Sequence, residues 1–136
     1  MNSDLAREWM LSALADLKSI QHIIHDEFLT HMVAFHAQQC VEKSFKAVLE
    51  STSSQVPKEH STLKLYGLVK QEMNLQLETD ILTDFDDLYI EARYPGNLGL
   101  LPQGKPTVED AKEFHQFAQY IYTAVSDFLD IDMERE

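Results

Sequence analysis

Cysteine is almost missing from this chain. Cys40 stands alone among 136 residues, which excludes an intrachain disulfide and leaves a thiolate zinc centre within one chain without partners. Glycine and proline are scarce at four each, so little length is left for disordered linkers. No stretch approaches the roughly 18 uninterrupted apolar residues that a membrane span requires, and Asp4 and Glu8 break up the first residues before an apolar run develops. A cytoplasmic protein with no membrane attachment is expected. Basic residues are also few, 11 against 23 acidic ones, for a formal charge of -12. That field repels polyanions at long range and disfavours RNA or DNA tracked along its phosphates. It leaves room for a local basic patch built from Lys43, Lys46, Arg93 and His60, and the acid excess itself reads as solubility or as attraction to a basic partner.

The length suits one domain spanning residues 1–136, enough to bury about two thirds of the surface of the unfolded chain. Helical periodicity dominates. Ala6, Trp9, Ala13, Leu17, Ile20 and Ile24 recur at intervals of three and four from a start near Asn2 to Asp4, giving a first helix to about Asp26, with Met10, Leu14 and Phe28 widening its stripe. A second helix is predicted from His31 or Met32 to Glu50, with Ala34, Ala37, Val41, Phe45 and Val48 inward and Gln38, Gln39, Glu42, Lys43 and Lys46 on other faces. Burial within this helix is the expected fate of Cys40. Glu42 and Lys46 lie four apart in the favourable order for an exposed helix-supporting pair.

Ser61 or Thr62 can open a short helix that places Leu65, Leu68 and Val69 on the core, with His60 at its entrance. From Glu78 to Ala92, Ile81, Phe85, Leu88 and Ala92 define another helix, beside an acidic stripe of Asp80, Asp84, Asp87 and Glu91. Pro95 ends it, and a glycine- and proline-bearing loop follows. Thr107 with Asp110 forms a capping-box pattern ahead of Ala111, Phe114, Ala118, Ile121, Val125 and Phe128. The fold class that buries these faces is all-α, an up-and-down antiparallel bundle of four long helices and one short one. Phe117, Tyr120 and Tyr122 cannot all share the inward face of the last helix, and Trp9 is similarly peripheral; a homodimer would cover some of them.

Chemistry is sparse in the pattern. His22 and His25 are helix neighbours, with His31 and His36 following, but no carboxylate or cysteine completes a metal motif, so no metal site is assigned. The glycine-bearing loop lacks the GxxxxGK arrangement of a phosphate cradle. Tyr89 and Arg93 are one helical turn apart and can look along one groove.

Four segments, AREWMLSALADL at 6–17, FHAQQCVEKSFKAVL at 35–49, PKEHSTLKL at 57–65 and LYIEARYPG at 88–96, together resemble the HEPN domains, small helical proteins often encoded beside a minimal nucleotidyltransferase. The resemblance runs over essentially the whole chain. It implies a helical bundle, a homodimer, and work with a minimal nucleotidyltransferase in a paired or toxin–antitoxin module. Gln39, Glu42, Lys43, Lys46, Tyr89 and Arg93 match the family's polar signature. As a nucleotide-binding set, Lys43, Lys46 and Arg93 would meet phosphates, Gln39 would orient a base or sugar, and Glu42 would hold the lysines in register. No cofactor is implied beyond such a nucleotide.

Active members of the wider group look like metal-independent endoribonucleases, with an arginine followed after four to six residues by a histidine. Here no histidine follows Arg93 until His115, and Arg7 has none at that interval. An unconventional enzyme would have to use His60 or His115 for proton transfer and Arg93 for phosphate stabilisation. The readings left by the sequence are therefore a nucleotide-binding or partner-binding protein, such an enzyme, and a purely structural helical subunit.

Overall fold

The computed structural model describes residues 3–52, 55–92 and 104–131, with the side chains of Glu91 and Ala92 outside that set. Its elements are α1 (Ser3–Ile23), a 3-10 turn (Glu27–Leu29), α2 (Thr30–Ser51), α3 (Thr62–Val69), α4 (Asp80–Ala92) and α5 (Val108–Leu129). Among the described residues there is no strand, and the all-α expectation holds with four longer helices and one short one.

Local chemistry sets the boundaries. The Asp26 side chain accepts from the Phe28 amide and starts the 3-10 turn, which ends α1 earlier than periodicity alone predicts. Ser61 caps α3 by accepting from the Lys64 amide. Thr107 and Asp110 form both bonds of the capping box, at 2.9 and 3.0 Å, satisfying amides that the first turn of α5 would leave unpaired.

Contact partners give the directions. Asp16 of α1 meets both His36 and Lys43 of α2 while Lys46 lies over Trp9, so these helices run antiparallel. Thr30 bonds Pro106 and Cys40 faces the Ala118 carbonyl, so α2 and α5 run parallel. Residues 55–61 bring the chain back beside the middle of α2, where Gln38 meets the His60 carbonyl and, further on, Phe45 meets Tyr66; α3 thus runs alongside α2. His60 stacks on Tyr89 while Thr62 bonds Leu82 and Asp86, so α4 runs in the reverse direction. The four longer helices alternate up, down, up, down, with α3 on the crossover.

Helix α2 lies at the centre, packed on α1, α3, α4 and α5. Fourteen of its 22 residues are buried, so it has almost no face on which a polar side chain can reach water freely. Ala34, Ala37, Val41, Phe45 and Val48 join Met10, Ile20, Leu65, Phe85 and Ile121 in one apolar cluster.

The expected stripes need three corrections. Phe28 is 72% exposed because the 3-10 turn carries it off the α1 face. Leu68 is exposed on α3, and Phe128 is exposed in the last turn of α5, where no helix among the described residues covers it. Trp9, Phe117 and Tyr122 pack at the edge of the core, leaving Tyr120 as the half-exposed aromatic of that set.

Candidate functional site

The polar residues of α2 form two neighbouring groups. At the first, the Asp16 carboxylate, buried on α1, accepts from Lys43 Nζ at 2.8 Å and contacts His36 Nδ1 at 2.8 Å. At the second, Gln39 donates to Gln38 Oε1 at 2.6 Å and Gln38 donates to Glu42 Oε1 at 3.1 Å. Glu42 Oε2 also accepts from Lys46 Nζ at 3.1 Å and meets His60 Nδ1 at 3.2 Å. Lys46 Nζ lies 5.5 Å from the Trp9 ring centroid, a cation–π contact that closes the group toward α1. On the other side the His60 ring stacks on Tyr89, with centroids 4.9 Å apart.

Glu42 and Lys46 are therefore paired as the i,i+4 spacing predicts, but not on an exposed face: their side chains are only 6% and 7% exposed. The cause is the central position of α2. Burying both charges is tolerable because each carboxylate oxygen has a donor and the ammonium has both a carboxylate and an aromatic face. Glu42 holds one lysine only; Lys43 is held by Asp16.

Of the residues singled out in the sequence, Gln39, Glu42, Lys46 and Tyr89 come together with His60, and Lys43 stands in the adjoining group. Arg93 lies outside the described residues. His115 is on α5 with Nε2 buried and unpartnered, and no hydrogen bond or ion pair among the described residues joins it to His60. His22 and His25 are exposed at the end of α1, and among the described residues no group of histidine, cysteine or carboxylate side chains is arranged to hold a metal ion. Cys40 is fully buried, and burial drives its thiol far above the usual range, so it is inert.

Sequence reasoning missed Asp16 and Asp86, and placed Gln38 on the polar side of α2 without giving it a role in the site. Asp16 sits three residues after Ala13 and four before Ile20, on the inward stripe of α1, and a carboxylate there calls for a buried cation. Gln38 is almost fully buried and links Gln39 to Glu42. Asp86 falls outside the acidic stripe and binds Ser61 Oγ, the Thr62 amide and Thr62 Oγ1 at 2.5, 2.7 and 2.9 Å, fastening the start of α3 and hence His60 to α4. Within the stripe, burial and then the charges of Asp87, Asp110, Asp80 and Glu113 hold the Asp84 carboxyl above its ordinary value.

Comparison with known proteins settles the relationship at this point. The HEPN domain family profile matches residues 6–128. The chain is a HEPN-domain protein. Two solved structures share its fold. One is TT1696 from Thermus thermophilus, 22% identical over 90% of this chain and 96% of that one, with a TM-score of 0.62. The other is ST0689, an archaeal HEPN homologue, 21% identical over 95% and 99%, also with a TM-score of 0.62. No curated protein matches the chain. Among its described residues this HEPN protein has no helix long and apolar enough to cross a membrane.

Burial lowers the pKa of His115 and is also the first cause at His31, where Lys105 adds to it and a backbone hydrogen bond to Phe28 opposes it. The folded rings thus bind a proton less readily than the unfolded ones, which titrate near 6.5. Just below that value the unfolded chain takes up more protons, so stability falls as pH falls. His115→Gln should flatten this acid-side decline, measured as urea midpoint against pH; an unchanged slope would show that His115 does not contribute to it.

Proposed function

We propose that this HEPN protein binds a nucleotide or a protein partner and works as a homodimer with a minimal nucleotidyltransferase. The setting would be a paired or toxin–antitoxin module of the cytoplasm, with residues 1–136 forming one domain. The observation that carries the reading is the Gln38, Glu42 and Lys46 network at the centre of an apolar helix. Such a buried charge pair is seldom more stabilising than well-packed apolar side chains, and this one reaches the surface at Gln39, His60 and Tyr89, where a ligand can meet it. Gln39 and Tyr89 supply an amide and an aromatic face, and Arg93 is the cation assigned to phosphate. Lys43 and Lys46 would reach a phosphate only by leaving Asp16 and Glu42. Tyr120 and Phe128 are exposed on α5 and suit coverage by a second copy.

The test is isolation of the tagged chain at native level from its source cells, with bound proteins and small molecules identified by mass spectrometry. Recovery of a nucleotidyltransferase, with or without nucleotide, is expected. A ligand-free homodimer alone would count against the paired module. With the nucleotide in hand, Arg93→Ala should weaken its binding while leaving helicity unchanged; unaltered affinity would remove Arg93 from the site.

The Glu42 contact to His60 favours one second reading, an unconventional metal-independent endoribonuclease. A carboxylate on Nδ1 orients an imidazole for proton transfer at its other nitrogen. Purified protein should then cleave members of an RNA panel and lose that activity on His60→Ala, whereas an inactive wild type would discard the reading.

A further inference from the structure

The open end of the polar network is His60, and the groups behind it fix its chemistry. Glu42 accepts from Gln38 on Oε1 and from Lys46 on Oε2, as an ionised carboxylate facing a lysine does. Such a carboxylate can only accept, so the contact between its Oε2 and His60 Nδ1 requires the proton on Nδ1. In the neutral ring Nε2 then carries a lone pair. The His60 side chain is 51% exposed, its plane is set by the Tyr89 stack, and no described residue donates to Nε2.

The charges around the ring decide what this atom attracts. From α2 come Glu42 and Lys46; from the connection before α3 comes Glu59, loosely paired with Lys64 at 3.9 Å; from α4 come Asp86, engaged at Ser61 and Thr62, and the stacked Tyr89. Among the described residues carboxylates outnumber cations here, and Lys43, the next cation along α2, is neutralised by Asp16. That environment disfavours a phosphate and suits a hydrogen-bond donor.

We infer that His60 Nε2 is the acceptor that reads the nucleoside half of a bound nucleotide, taking a hydrogen bond from a sugar hydroxyl or a base amino group while the phosphates lie away from it. The inference rests on the nucleotide-binding reading and reassigns the surface chemistry of that site from its lysines to a histidine. It fixes the sign of the pH dependence. A ring protonated on both nitrogens can only donate, so acidification weakens this contact, whereas a histidine serving as a phosphate anchor would bind more tightly on acidification.

The test is calorimetric titration of the full chain with each of the four common ribonucleoside triphosphates and with inorganic tripolyphosphate, from about pH 5 to 8. His60→Phe keeps an aromatic ring for Tyr89 and removes the acceptor, and His60→Gln places an amide oxygen near the position of Nε2. Thermal unfolding checks that both remain folded. At least one triphosphate is expected to bind more tightly than tripolyphosphate and to lose affinity in acid. The Phe variant should lose about tenfold for that triphosphate, together with the pH dependence, and keep its affinity for tripolyphosphate; the Gln variant should recover part of the loss. Nitrogen-15 spectra of His60 should show the proton on Nδ1 at neutral pH. Unchanged triphosphate affinity in the Phe variant, tighter binding in acid, or a proton on Nε2 would overturn the inference and leave nucleotide binding standing. No binding of any probe by the wild type would remove the nucleotide reading and the inference together.

Discussion

Glu42→Ala is expected to destabilise the protein by about 3–5 kcal/mol, the ordinary cost of stranding one member of a buried ion pair. Lys46 would be left with its side chain 7% exposed and, among the described residues, only the Trp9 face as a partner. Gln38 would lose its side-chain acceptor, and His60 the group that holds its Nδ1. Against a total stability of about 5–15 kcal/mol for a domain of this kind, the urea midpoint should fall far enough for a large unfolded fraction to appear under mild conditions. The double variant Glu42→Leu with Lys46→Met removes both charges and keeps the volume, so it should be much more stable than Glu42→Ala. A Glu42→Ala cost below about 1 kcal/mol would mean that Lys46 swings past Trp9 into water, and the pair would then be a surface feature after all.

Phe45→Ala should cost a similar amount, about 3–5 kcal/mol, for a different reason. Phe45 is fully buried in the middle of α2 and its ring stacks with Tyr66 at 6.2 Å between centroids. Truncation leaves a cavity that the surrounding helices close only partly. It also loosens Tyr66, whose hydroxyl donates to the Leu75 carbonyl at 2.7 Å and accepts from the Leu77 amide at 3.1 Å. The loss should therefore spread from the core to the connection between α3 and α4, visible as faster hydrogen exchange over residues 66–77. Phe45→Leu, which keeps much of the volume, should cost markedly less. Equal costs for the two variants would point to an aromatic contact, rather than a cavity, as the main term.

The two variants separate the two demands that meet on α2. One is apolar volume, supplied by Phe45 and its neighbours. The other is charge compensation, supplied by Glu42 and Lys46 with Asp16 and Lys43 beside them. Because the helix is central, neither demand can be relaxed by turning a side chain to solvent, and variants along the helix should therefore be sensitive to both size and charge.

Much of the fold was legible in the residues. The intervals of three and four in α1, α2 and α5, the Ser61 cap and the Thr107 box all act within one turn of backbone, and the structure follows them to within a few residues. What failed was exposure at the ends. Phe28, Leu68 and Phe128 continue apolar stripes on paper, but each lies where a helix begins, ends or is too short to be covered. The candidate site was legible as residue types and hidden as partners. Gln39, Glu42, Lys43, Lys46, Tyr89 and Arg93 stand out by pattern, yet nothing in their spacing assigns Lys43 to Asp16 or brings His60 back beside Glu42. Those contacts depend on the pairing of α1 with α2 and on the return of residues 55–61.

The sequence by itself determined that the protein is helical, that its helices begin and end near their capping residues, and that one of them carries amides and charges of both signs. These properties are local: hydrogen bonds within a turn and the 3.6-residue period fix them wherever the helix finally lies. Only the tertiary structure decided that this helix would be the central one. Position converts an ordinary surface ion pair into a buried one, supplies Asp16 and His60 from distant parts of the chain, and leaves the His60 ring half exposed. The physical reason is desolvation: the same side chains are weakly coupled in water and strongly coupled once four neighbouring helices exclude it.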